Sequence, residues 1–210
     1  MIEFEMKYKL KEKPKELNSF AIANIINQCD VYYDTNDFKL IKDGNFLRIR
    51  NNEKIDFKID IDDNMHLYCK ETSFKISEIN KNILLINQIL ENIGLPISEN
   101  VTGIENFLLK NNFNELAKID KIRTIYNFNK NCTIYIDEVK NLGLFLEAEI
   151  IIENDTINRS DVDKFKNKII KTLKDANIIY NTSEIINTGY VELYLLTHNP
   201  EAYELGKFKI

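Results

Sequence analysis

Two glutamates and a lysine at alternate positions, Glu3, Glu5 and Lys7, stand close to the start of the chain. Side chains two apart on a strand share a face. The two carboxylates could therefore hold a divalent cation beside an anion gripped by the ammonium group. Ile2, Phe4, Met6, Tyr8 and Leu10 fall on the opposite face. The pattern recurs further along. Arg48 and Arg50 alternate with Leu47 and Ile49, and Lys58 stands between Phe57 and Ile59. Lys121 and Arg123 point one way, while Glu147 and Glu149 alternate with Leu146, Ala148 and Ile150. Asp137 offers one more carboxylate. Any one of these segments could be the solvated face of an antiparallel sheet. Taken together, the charges sort by strand, with basic pairs on some and Glu-x-Glu pairs near both ends of the chain. Faces turned to bulk water would mix their signs more often. Lining a shared cavity, such charges demand a highly charged ligand, because like charges repel and burial desolvates them. A polyanion with divalent cations neutralises both sets.

The elements that must position these residues are legible from periodicity. Period-two segments predict strands at 2–10, 31–35, 45–51, 54–61, 65–72, 119–129, 132–139 and 144–153. Three-to-four spacing predicts a helix over 77–93, opening at Ser77 and stopping at Gly94 ahead of Pro96. A second runs over 161–176, its start at Ser160 and Asp163 resembling a capping box. Shorter helices are expected at 14–28, 103–112 and 189–197. Strands and helices do not alternate regularly, which argues for an antiparallel α+β architecture with helices outside a curved sheet or barrel. One domain over 1–210 is expected, with 196–210 a C-terminal tail in which Tyr203 and Leu205 could dock.

Composition narrows the functional classes. The chain has 210 residues, 44% hydrophobic and 29% charged, enough for a substantial core. Net charge is −5, so neither nucleic acid nor an anionic membrane is the expected partner. No apolar run reaches a membrane span, and no cationic leader precedes the first strand, so a cytoplasmic protein is expected. Cys29, Cys69 and Cys132 lack metal-type spacing and read as reduced structural thiols. His66 and His198 have no partner motif. The acidic run from Asp60 to Asp63 lacks the spacing, glycine and terminal glutamate of a calcium loop and reads as a solvated turn. Tyr32 and Tyr33 could stack on an organic ring, although core packing is the simpler assignment.

At these residues the chain resembles the CYTH superfamily, the triphosphate tunnel metalloenzymes, which include class IV adenylyl cyclases, thiamine triphosphatases and inorganic triphosphatases. Glu3, Glu5 and Lys7 are similar to its opening signature. Tyr32 to Thr35 with Leu40 and Gly44, Leu47 to Arg50, Phe57 with Lys58, and Lys121 with Arg123 follow in family order. Asp137 to Val139, Leu142 with Gly143, Phe145 with Glu147 and Glu149, and Gly189 to Leu193 complete the set. The resemblance implies an eight-stranded antiparallel β-barrel forming a triphosphate tunnel, in a monomer or homodimer. It implies Mg²⁺ or Mn²⁺ on Glu3, Glu5, Asp137, Glu147 and Glu149, Asp137 serving as a ligand or behind the ligands. Lys7, Arg48, Arg50, Lys58, Lys121 and Arg123 would grip the triphosphate, with Glu5, Lys7 and Glu147 at the reacting centre. One strand departs from the pattern. Where the family carries Arg-x-Glu-x-Glu, Cys69 to Ser73 keep only Glu71, a further site candidate. The function implied is hydrolysis of a triphosphate-containing small molecule. Conversion of ATP to cyclic AMP, or polyphosphate binding without catalysis, are the alternatives.

Overall fold

The computed structural model describes residues 2–60, 68–129, 132–152, 159–178 and 185–209. Among these residues nine strands form one antiparallel sheet: β1 (Ile2–Leu10), β2 (Ile22–Asp34), β3 (Phe46–Arg50), β4 (Lys54–Asp60), β5 (Tyr68–Lys75), β6 (Asn114–Asn129), β7 (Cys132–Val139), β8 (Gly143–Ile152) and β9 (Ile185–Ile186). Their order is β5-β4-β3-β2-β6-β7-β8-β1-β9, and an added β5–β1 pairing closes the first eight into a barrel. The expected eight-stranded barrel is therefore present. β1 pairs with β8 along its whole length. Its other edge is shared, Ile2 to Phe4 facing β5 and Lys7 and Tyr8 facing β9.

The barrel is polar inside and apolar outside, so helices rather than a second sheet complete the core. Ile2, Phe4, Met6 and Tyr8 of β1 pack with Ile134, Leu146 and Ile150 beneath α4 (Arg159–Asp175), whose Val162, Ile169 and Leu173 face them. Leu47, Ile55, Phe57 and Phe74 meet α2 (Ile79–Asn92) and α3 (Ile104–Lys110) through Ile86, Leu90 and Phe107. A third cluster sits at one end of the barrel interior. There Tyr32, Phe46, Ile119, Val139 and Phe145 contact α1 (Lys39–Lys42), α5 (Tyr190–His198) and α6 (Pro200–Leu205).

The helices predicted at 77–93, 103–112, 161–176 and 189–197 are all found, displaced by a few residues at their ends. The one over 14–28 is not. After a single 3-10 turn at Lys15–Ser19, these residues belong to β2, which runs beside β6 from Ile22 to Asp34. The apolar spacing that suggested a helix comes partly from Ile22 and Ile25, both about half exposed at 49% and 57%. Long-range pairing with β6 overrides that local pattern. β5 lies three residues later than predicted at its far end, and 65–67 fall outside the described residues. So do His66, Asp62 and Asp63 of the acidic run, and the side chain of Ser160. The tail is folded. Tyr203 is buried as expected, whereas Leu205 is 41% exposed.

Candidate active site

Alternation on each strand sends one face into the barrel, and the hairpins set how these faces meet. Asn51 and Asn52 turn β3 into β4 with positive φ, a conformation asparagine tolerates better than most residues. The Asn51 carboxamide accepts a hydrogen bond from the Cys29 amide at 2.8 Å, which fixes the hairpin against β2. The register then sets Arg50 opposite Asp30 and Arg48 opposite Asp56. On the other side of the barrel, β1 against β8 sets Glu5 opposite Glu149 and Lys7 opposite Glu147.

All of these side chains but Asp56 line one cavity of about 210 Å³. It brings together Glu3, Glu5, Lys7, Arg48, Arg50, Lys58, Glu71, Lys121, Arg123, Glu147 and Glu149, eleven of the twelve residues expected from the sequence. Asp137 is the exception. It is fully buried behind the wall, where it accepts hydrogen bonds from Arg123 at 2.7 and 2.6 Å, Lys121 at 3.0 Å and the Tyr190 hydroxyl at 2.8 Å. Its oxygens are committed to holding cations in place.

Every inward cation has carboxylate partners. Arg123 also donates to Glu147 at 2.9 Å. Lys7 lies 3.1 Å from Glu5 and 3.4 Å from Glu147. Lys58 joins Glu3 at 3.1 Å and Glu71 at 3.0 Å, so the one glutamate kept on the divergent strand faces the cavity. Arg48 donates twice to Asp56, at 3.0 and 2.9 Å, and once to Glu71 at 3.3 Å. Arg50 donates to Asp30 at 2.9 Å. The tyrosine rings add a second layer. Tyr190 sits 4.7 Å from the Lys7 ammonium and 4.8 Å from that of Lys121, and Tyr135 lies 4.2 Å from the Arg123 guanidinium.

The balance of charge is uneven along the cavity. Burial opposes ionisation of Asp30, yet Arg48 and Arg50 hold its pKa down at about 2. Glu147 likewise stays well below the usual carboxylate range, against burial, through Arg123 and Lys7. Burial and then Arg123 push Lys121 down to about 8 despite its bond to Asp137. Glu149 goes the other way, pushed up to about 8 by burial and by Glu3, Glu147 and Glu5. Carboxylates therefore crowd the part of the wall where Glu3 and Glu5 of β1 face Glu147 and Glu149 of β8.

An all-oxygen donor set of this kind suits a hard divalent cation, and the carboxylates crowding Glu149 are those such a cation would relieve. As they stand, no three Asp, Glu, His or Cys side chains among the described residues converge tightly enough to hold an ion. The cations occupy them instead.

Four contributors escaped the sequence reading. Asp30 and Asp56 anchor the arginines; Asp56 lies in a strand already assigned, and Asp30 just before the strand predicted at 31–35. Tyr135 shares a strand face with Asp137, and Tyr190 opens the last predicted helix. Tyr32 is part of the cavity wall and meets Phe46 edge-on at 6.3 Å. Cys69 also lines the wall, and burial pushes its thiol up to about 12. His198 stacks on Tyr194 at the surface, away from the cavity.

The CYTH domain family model matches residues 1–184. The chain belongs to the CYTH family. Solved structures share its fold at low identity. A Pyrococcus horikoshii OT3 protein is 23% identical, with TM-score 0.61, over 93% of this chain and 99% of its own. A candidate adenylate cyclase of Vibrio parahaemolyticus is 16% identical, with TM-score 0.58, over 92% and 98%. A Hippeastrum protein, named as a candidate adenylyl cyclase and described by a dominant triphosphatase activity, is 16% identical, with TM-score 0.53, over 92% and 93%. No curated protein matches the chain. As a CYTH protein, it shares its barrel with these structures. No helix among its described residues is long and apolar enough to cross a membrane.

Proposed function

We propose that this CYTH protein is a metal-dependent triphosphatase acting on a small molecule that carries a triphosphate group. The observation that carries the reading is the convergence of six cations from β1, β3, β4 and β6 on one cavity of about 210 Å³. A triphosphate offers several anionic oxygens in a short chain. Entering the cavity, it would exchange carboxylate partners for phosphate oxygens on Lys7, Arg48, Arg50, Lys58, Lys121 and Arg123. Arginines held in place by carboxylates on neighbouring strands are pre-organised for such contacts, which limits the entropy lost on binding.

Phosphoryl transfer asks little covalent work of the protein; positioning and charge neutralisation dominate. Glu3, Glu5, Glu147 and Glu149 would hold Mg²⁺ or Mn²⁺, with Asp137 keeping Lys121 and Arg123 aimed inward. When bound, the cation supplies charge neutralisation on the phosphate oxygens and activation of water. Lys7, between Glu5 and Glu147, stands where the acidic and basic parts of the wall meet, and these three residues would flank the reacting phosphorus.

Incubation of the metal-loaded protein with tripolyphosphate, thiamine triphosphate and ATP in separate reactions tests this. Orthophosphate release that stops on Glu147→Gln in a folded protein supports it. Cyclic AMP with pyrophosphate from ATP, or tight binding with no turnover of any of the three, refutes it.

A further inference from the structure

The wall of the cavity is completed by residues beyond the family match, which ends at residue 184. Tyr190, Val191 and Phe208 all line it. Phe208 follows α6 on a short strap, and three separate features seat that strap. The Lys207 amide donates to the Ile41 carbonyl at 2.9 Å. The Lys207 ammonium meets Asp60 on β4 at 2.5 Å. The Phe208 ring lies nearly parallel to Phe46, with centroids 6.4 Å apart and an interplanar angle of 23°.

Gly44 makes this seat possible. Its φ is +73°, and a Cβ there would stand 2.8 Å from Phe208 Cε2 and 2.9 Å from Lys207 Cδ. Glycine at 44 thus serves both the turn after α1 and the close approach of the strap.

Phe208 occupies the apolar end of the cavity, among Tyr32, Phe46 and Val191. The cations hold the middle, and the glutamates crowd the part of the wall where β1 meets β8. The rings of Tyr135 and Tyr190 are already covered by Lys7, Lys121 and Arg123, so an aromatic or sugar group attached to a bound triphosphate would find its apolar surface at the Phe208 end. The volume available, about 210 Å³, falls below the roughly 300 Å³ at which pockets for drug-sized ligands begin.

We infer that Phe208, held by Lys207, is a specificity-determining wall that restricts the organic group a bound triphosphate can carry. The inference rests on the triphosphatase reading above and identifies which residue sets its substrate range. With the strap seated, the cavity admits a short inorganic polyphosphate in preference to a thiamine or nucleoside triphosphate. With the ring removed, the space beside Phe46 and Tyr32 becomes a stacking site.

The test compares kcat/KM for tripolyphosphate, thiamine triphosphate and ATP in three proteins: wild type, Phe208→Ala, and a chain ending at Gly206. Circular dichroism confirms folding in each. The ratio of organic to inorganic substrate is the readout, because simple destabilisation lowers both rates together. Each altered protein is expected to raise that ratio by about tenfold or more, the discrimination one apolar group can supply. If neither altered protein folds, Phe208→Leu, which keeps an apolar side chain but removes the ring, carries the test. A ratio that stays constant or falls while tripolyphosphate is still hydrolysed overturns the inference and leaves the triphosphatase reading standing. Failure of the wild type to hydrolyse any of the three removes both.

Discussion

Replacing Glu149 by glutamine isolates the cost of crowding carboxylates at one part of the barrel wall. In the folded protein the Glu149 carboxyl keeps its proton up to about pH 8, against an ordinary 4.5. Burial is the first cause, and repulsion from Glu3, Glu147 and Glu5 adds to it. Its folded pKa lies above its unfolded one. The stability it contributes is therefore complete below about pH 4.5 and lost as pH rises to about 8. At ~1.4 kcal/mol for each pH unit the loss is capped near 5 kcal/mol. Solvent screening of a partly exposed carboxylate reduces this to about 2 kcal/mol. Urea denaturation in the presence of a chelator should therefore give equal stability for wild type and Glu149→Gln near pH 4. Near pH 9 the glutamine variant should be about 2 kcal/mol more stable. Adding Mg²⁺ near pH 9 should close the gap from the wild-type side, since cation binding to the folded state stabilises it by mass action. A glutamine variant no more stable than wild type near pH 9 without metal would refute the reasoning, because the carboxylates would then not be in conflict.

Lys7→Ala should weaken tripolyphosphate binding by about 1.5–3 kcal/mol, the worth of a lost charge-assisted hydrogen bond, as read by calorimetry. Unchanged affinity would mean that the ammonium does not face the ligand. Arg123→Ala should also destabilise the fold by about 3–5 kcal/mol, since it takes the two-pronged partner from buried Asp137 and leaves Glu147 its longer contact to Lys7. Equal melting temperatures would argue against that buried cluster. Tyr190→Phe removes the hydroxyl bonded to Asp137 but keeps the ring between Lys7 and Lys121, so a stability loss of about 1–2 kcal/mol is expected in denaturant titrations. Glu5→Gln should abolish Mg²⁺-dependent turnover while leaving the circular dichroism spectrum intact; retained activity would exclude a role for Glu5 at the reacting centre.

The strands that carry the site were legible because alternation of charge with apolar groups is a local property. β1, β3, β7 and β8 fall within one or two residues of their predicted bounds. Which face turns inward was not local. The same alternation fits a sheet with a wet outer face, and only the sorting of charges by strand favoured an enclosed polar interior. β2 was misread because its first half presents Ile22 and Ile25 to solvent and is set by pairing with β6, a partner far away in sequence. Asp30 and Asp56 were passed over for a similar reason. Their strands also carry Tyr32 and Lys58, and nothing within the segment distinguishes a carboxylate holding an arginine from one facing water. Tyr190 contributes through its ring faces and hydroxyl, neither of which leaves a mark in spacing. Asp137 was found, but only its depth behind Lys121 and Arg123 reveals a carboxylate that holds the cations.

The closing seam of the barrel governs how the chain can be born. β1 leaves the ribosome before the strands it pairs with, and its long partner β8 runs to Ile152, opposite Ile2. At about 5–20 residues per second, β1 waits on the order of ten seconds for that partner, and longer for β9. The neighbouring strands β3, β4 and β5 can zip together meanwhile, so ring closure becomes the slow, non-local step. Through that wait the edge of β1 that will meet β8 is naked. Its alternating glutamates and lysines then act as gatekeepers, guarding a nascent polypeptide against sticking to its neighbours before the ring has shut.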